Sequence, residues 1–138
     1  MSTSPQTEHE AALIRAFVVP DKRARLVELL SKPKRRKDVL RSLAHFGDLD
    51  PRFQLPIPPS EQSAAAIEKR LRARGAPAEC YVISEDAALD ARTLLLSDAL
   101  RSIVAHGMGA LLSCVPGRLG YYEGESQGDR WLLERGAA

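Results

Sequence analysis

The chain has 138 residues, 44% hydrophobic and 28% charged, which fits one globular domain and excludes wholesale disorder. A chain of this length buries roughly two thirds of its unfolded surface, so it needs neither a disulfide nor a metal to fold. Net charge is only +2, but the halves differ: residues 1–76 hold fifteen Lys/Arg against nine Asp/Glu (+6), and residues 77–138 five against nine (−4).

Apolar runs such as Leu94-Leu95-Leu96 are far short of the ~18 residues needed to span a membrane. Met1 to Glu10 has no Lys or Arg and Arg15 interrupts the apolar stretch behind it, so no secretory signal is expected. Cys80 and Cys114 are the only cysteines, both in apolar, strand-like surroundings where a free thiol behaves as a small hydrophobe. That usage points to a reducing compartment, and the expected address is cytoplasmic.

Thr7 and Glu10 have the spacing of a capping box, which predicts a helix start at Thr7. Leu13, Ile14, Phe17 and Val18 then mark one apolar helix face, ended by Pro20. Asp21 is placed to cap a second helix with Leu26, Val27, Leu29 and Leu30 inward. Pro33 suits the first position of a third, because its missing N–H would be unpaired there anyway. Val39, Leu40, Leu43 and Phe46 are its buried side, and Gly47 its end. Residues 50–59 hold four prolines with Phe53, Leu55 and Ile57 between them. This cannot be a helix or a central strand, so it reads as an extended crossover on the core surface. Ser60 is expected to cap a fourth helix with Ala64, Ile67 and Leu71 inward, closed by Gly75.

The apolar period then changes from 3.6 to 2. Residues 79–84 form a strand apolar on both faces, hence central. Ser97 opens a short helix stopped by Gly107, and residues 110–115 form a second doubly apolar strand. Val115-Pro116-Gly117-Arg118 carries the Pro-Gly signature of a type II turn and returns the chain into residues 119–123. A polar loop over 124–129 leads to a last strand around Trp131 to Glu134. The expected fold class is α+β. An N-terminal layer of about four helices packs on a small, mainly antiparallel sheet of about four strands, with one short helix between the first two strands. Residues 1–76 form the basic helical half and 77–138 the acidic, strand-rich half of a single domain.

The sharpest chemical feature is the basic run Lys32, Lys34, Arg35, Arg36, Lys37 around Pro33. Across residues 22–41 there are nine Lys/Arg against Glu28 and Asp38, a net +7. Cations at a helix N-terminus oppose the helix dipole. Exposed N–H groups and basic side chains together suit a phosphate or an acidic partner. Set against this, a solvated basic turn needs no ligand at all. Lys69, Arg70, Arg72 and Arg74 form a second basic group, which would extend the first if the third and fourth helices lay side by side. Nucleic acid recognition would usually add exposed aromatics for stacking, and the few aromatics here sit at core positions.

His106-Gly107-Met108-Gly109 follows a helix and precedes a strand, the reverse of a dinucleotide fingerprint, so its glycines read as a helix stop and a loop. His106 and Cys114 could pair as a base and a nucleophile, but a buried, inert cysteine is the better reading of Cys114. Glu123, Glu125 and Asp129, preceded by Tyr121 and Tyr122, could offer oxygen ligands to Mg²⁺ or Ca²⁺, but the spacing fits no EF-hand and a polar hairpin loop needs no metal to explain it. His9, His45 and His106 are scattered and make no zinc set. No metal and no cofactor is expected. Three function classes follow: a non-catalytic protein-binding module, self-associating or not, that uses its basic helical and acidic sheet halves; a nucleic-acid-binding accessory protein; and a small hydrolase or nuclease around His106 and the 123–129 loop.

Overall fold

The computed structural model describes residues 5–136 and their side chains from residue 8 onward. In chain order the elements are α1 (Pro5–Phe17), α2 (Arg23–Leu30), α3 (Pro33–Ser42), β1 (Gln54–Pro56), α4 (Ala64–Ala73), β2 (Glu79–Ser84), β3 (Arg92–Leu95), α5 (Leu96–Ile103), β4 (Ala110–Val115), β5 (Leu119–Glu123) and β6 (Arg130–Glu134). The strands form one sheet in the order β1-β6-β5-β4-β2-β3, with every neighbouring pair antiparallel. The fold is α+β, and among the described residues no helix is long and apolar enough to cross a membrane.

Alternation along the strands divides the interior into two cores. Cys80, Val82, Leu112, Cys114, Tyr121 and Leu132 point to one face of the sheet, where α4 and α5 cover them with Ile67, Leu71, Leu96 and Leu100. Tyr81, Ile83, Leu111, Tyr122 and Leu133 point to the other, covered by Leu13, Ile14 and Phe17 of α1, Leu26 and Leu30 of α2 and Val39 of α3. Both faces being buried is why β2 and β4 read as continuous apolar runs. Each fully buried Leu, Ile or Phe contributes about 1.5–3 kcal/mol of burial free energy. The two cores are thus the main source of stability.

The structure corrects the expected layout in four respects. There are six strands, because the proline-rich crossover contributes β1 at one edge, paired with β6, and Arg92–Leu95 forms β3 at the other. α5 therefore lies between β3 and β4, not between the first two strands. The helical layer on the α1 face has three helices, not four. The crossover carries the chain round the β1 edge, and α4 packs on the opposite face against α5.

The fourth correction concerns helix starts. α1 is already helical at Thr7 and begins at Pro5, and the Thr7 side chain lies outside the described residues. α2 is preceded by a 3-10 turn that absorbs Asp21, leaving Lys22 as an N-cap without a side-chain bond. α4 is capped by Ser63, whose hydroxyl accepts from the Ala66 N–H, because Pro58 and Pro59 hold Ser60 in a preceding 3-10 turn. α5 begins at Leu96 with Leu95 as its N-cap, so Ser97 is already inside the helix. The Val115–Arg118 turn has the expected form: the Arg118 N–H donates to the Val115 carbonyl at 2.9 Å, and Gly117 sits at φ +73.

Candidate functional site

α3 carries the basic run, and helical spacing splits it. Pro33 takes the first position, as its fixed φ favours. Arg36 is then one turn from Val39 and Leu40, on the side facing the core, whereas Lys34, Arg35 and Lys37 turn to solvent. Helical spacing thus sets Arg36 apart from Lys34, Arg35 and Lys37.

Arg36 is an internal residue. Its Nε and Nη2 donate to the two carboxylate oxygens of Asp90 at 2.8 and 2.9 Å, a bidentate pair. Nη1 donates to Glu10 at 2.7 Å and to the Leu30 carbonyl at 3.1 Å. Glu10 also accepts from the Tyr81 hydroxyl, and Asp90 from the Ser84 N–H at 3.0 Å. Only 16% of the Arg36 side chain is exposed, and 13% of each carboxylate. Burial works against the guanidinium charge, but the hydrogen bonds to Asp90 and Glu10 outweigh it and raise the Arg36 pKa. Burial, and then the bond to Glu10, raises that of Tyr81 as well. This network ties α3 to α1, to the end of α2, to β2 and to the loop before β3. His9 stacks on Tyr81 with ring centroids 5.4 Å apart and meets the Ser113 hydroxyl at 2.8 Å.

The remaining cations of the run differ. Lys32 makes an exposed i,i+4 pair with Glu28 at 2.9 Å, which solvent screens. Lys34, Arg35 and Lys37 are exposed and take part in no ion pair among the described residues. Two clefts flank α3. The first, of about 400 Å³, runs between α2 and α3. Leu26, Leu29, Val39 and Phe46 make its apolar part and Lys22 and Arg25 its basic rim, with Asp38 and Asp48 also present. Arg35 lies one turn before Asp38 and Val39 and so belongs to this flank. The second, of about 520 Å³, lies between α3 and the loop joining β2 to β3.

The second basic group is not an extension of the first. α4 lies across the sheet from α3, and most of its cations are neutralised locally. Arg70 pairs with Glu61 at 2.6 Å, Arg72 with Glu68 at 2.8 Å and Arg74 with Glu134 at 2.7 Å. Lys69 is exposed and has no ion pair among the described residues.

The carboxylates of the acidic half are also largely engaged. Asp90, Asp98, Glu123, Glu125 and Glu134 each pair with a basic side chain. Glu123 is not a loop ligand. It ends β5, is fully buried, and accepts from the Tyr121 hydroxyl at 2.5 Å, the Ala105 N–H at 3.0 Å and Arg130 at 3.0 Å. Arg130 continues to Gln62 at 3.1 Å, so one buried carboxylate joins α5, β5, β6 and the approach to α4. His106 is exposed and bonded to the Arg101 carbonyl at 3.0 Å, and it lines a small cleft, of about 90 Å³, with Ser84, Asp86 and Met108. Cys80 and Cys114 are both free and buried. Burial pushes the Cys80 thiol up to about 12 and raises Cys114 further, so neither is a ready nucleophile. Among the described residues no three His, Cys, Asp or Glu side chains gather as a metal site.

Glu10, Tyr81 and Asp90 were not among the expected site residues. For Arg36 the signal exists: Arg36, Val39, Leu40 and Leu43 share the spacing of a buried stripe. For Asp90, 54 residues away from Arg36, a single sequence carries none. No protein-family model matches the chain, and comparison with curated proteins and with solved structures likewise finds no match.

Proposed function

We infer that this protein is a non-catalytic binding module that presents the basic α2–α3 face to an acidic segment of a protein partner. One contrast carries the reading. Arg70, Arg72, Arg74 and Arg130 are matched to carboxylates, whereas Lys34 and Arg35 of α3 and Lys22 and Arg25 at the start of α2 make no ion pair among the described residues. Beside them lies a cleft with apolar Leu26, Leu29, Val39 and Phe46 under a rim of Lys22 and Arg25. An acidic, amphipathic segment would complement both the charge and the apolar surface.

Two observations favour an acidic protein over the alternatives. Every described Phe, Tyr and Trp is buried or half-buried, so none of these rings offers an open stacking platform for nucleic acid. The acidic half spends most of its carboxylates on internal pairs, which weakens head-to-tail self-association. The test is fluorescence anisotropy with a labelled acidic amphipathic peptide, comparing wild type with Lys34→Ala/Arg35→Ala. Losing two cations of this face removes about 1–2 kcal/mol, or about 5–30-fold in affinity. The effect should shrink as added salt shortens the screening length. Equal affinity of the double variant overturns the reading. Tighter binding of duplex DNA, with affinity falling steeply in log salt, replaces it with the nucleic-acid alternative.

A further inference from the structure

The cleft on the other flank of α3 has a different character. It is about 520 Å³ and is lined by Pro33, Arg36, Lys37, Leu40, Arg41, Glu85, Ala87 and Asp90. Two of its charges are already spent, because Asp90 holds Arg36 in a bidentate pair. The others are not. Lys37 is exposed, and Arg41 has only a loose contact with Asp38 at 3.8 Å, both ends well solvated. Across the cleft, on the β2–β3 loop, Glu85 is half-buried. Neither Lys37 nor Glu85 makes an ion pair within 4.0 Å among the described residues.

Cations on one wall and a carboxylate on the other attract each other, so a gap between them marks a space wider than an ion pair. A ligand that carries both charges can satisfy both walls at once. The geometry points to a small zwitterionic ligand, an apolar α-amino acid or a dipeptide of such residues, held between α3 and the β2–β3 loop. Its carboxylate lies on Lys37 and Arg41, its ammonium on Glu85, and its side chain against Pro33, Leu40 and Ala87. A cleft of this volume is within the ordinary range for small-molecule sites. The fold sets the wall spacing, because the Arg36–Asp90 pair fixes the loop to the helix. A monovalent ion leaves one wall uncompensated, which is why binding should require both charges in one molecule. The site is independent of the acidic-partner face, which uses the opposite flank of α3.

The test is isothermal titration calorimetry of the full chain with four probes: L-leucine, leucyl-leucine, 4-methylpentanoate, which lacks the ammonium, and isoamylamine, which lacks the carboxylate. Saturable binding of L-leucine or leucyl-leucine at least tenfold tighter than either singly charged analogue is expected, and the tighter of the two identifies the free amino acid or the dipeptide as the natural length. Glu85→Gln and Lys37→Ala/Arg41→Ala should each weaken it at least fivefold with an unchanged melting temperature, since none of these side chains is deeply buried. Lys34→Ala/Arg35→Ala should leave it unaltered, which separates this site from the acidic-partner face. No saturation by either zwitterion below about 10 mM overturns the proposal. Binding of 4-methylpentanoate as tight as that of leucine also overturns it, because the acidic wall would then play no part.

Discussion

Replacing Arg36 with Ala tests the claim that this arginine belongs to the interior and not to the basic surface. The substitution removes four hydrogen bonds: two to Asp90, one to Glu10 and one to the Leu30 carbonyl. It also leaves two carboxylates, each only 13% exposed, facing each other without a counter-charge. Deleting one partner of a buried ion pair costs about 3–5 kcal/mol, and the residual solvent access of both carboxylates places the loss near 3 kcal/mol. With an unfolding entropy of about 2.1 cal/mol/K per residue, that corresponds to a fall of about 10 °C in Tm. Urea unfolding at neutral pH followed by circular dichroism gives the free energy, and a thermal melt gives the shift. Arg35→Ala, one residue away and solvated, should change stability by no more than about 0.5 kcal/mol. The triple variant Arg36→Met/Glu10→Gln/Asp90→Asn should regain much of the loss, because no charge remains to be buried. A cost below about 1 kcal/mol for Arg36→Ala, or an equal cost for Arg35→Ala, would refute the assignment.

Three further outcomes follow from the same packing. Glu123→Gln leaves Arg130, itself only 11% exposed, without its counter-charge and should cost about 2–3 kcal/mol in urea unfolding; a loss under about 0.5 kcal/mol would contradict the role of that clamp. The two buried thiols should resist a disulfide reagent in the folded protein near pH 8 and react fully only in denaturant, and rapid labelling of either in the folded state would be the contrary result. Burial holds the His9 pKa below its ordinary 6.5, with Glu8 opposing. The unfolded chain therefore takes up a proton that the folded protein refuses, and stability falls as pH drops below 6.5. His9→Gln should lessen that loss between about pH 7 and 5.5 in urea titrations; an identical loss in the variant would remove His9 as its source.

The central strands were legible because their chemistry is local. A sheet buried on both faces forces continuous apolar runs, and residues 80–83 and 110–115 are such runs. The edge strands were not. Arg92–Leu95 has exposed residues and no alternation, and Gln54–Pro56 sits among prolines, which allow an edge but do not announce one. The side of the sheet taken by α4 depends on the path of the crossover, which apolar periodicity does not encode. The same divide runs through the candidate site. The basic run was visible, but its internal arginine could be separated from the solvated residues only by placing Arg36 on the stripe of Val39, Leu40 and Leu43. Glu123 shares strand parity with Leu119 and Tyr121 on the buried face, a signal that reading it as part of a polar loop concealed.

The central claim is that the α2–α3 face is the binding surface, and chemical-shift mapping tests it most directly. Titrating an acidic amphipathic peptide into the 15N-labelled protein should move amides of Leu26, Leu29, Lys34, Arg35, Val39 and Phe46 in a saturable manner. Residues of α4 and β3 should remain still. Shifts centred on Lys69 and Arg72 of α4, or none at peptide concentrations where anisotropy reports binding, would contradict it.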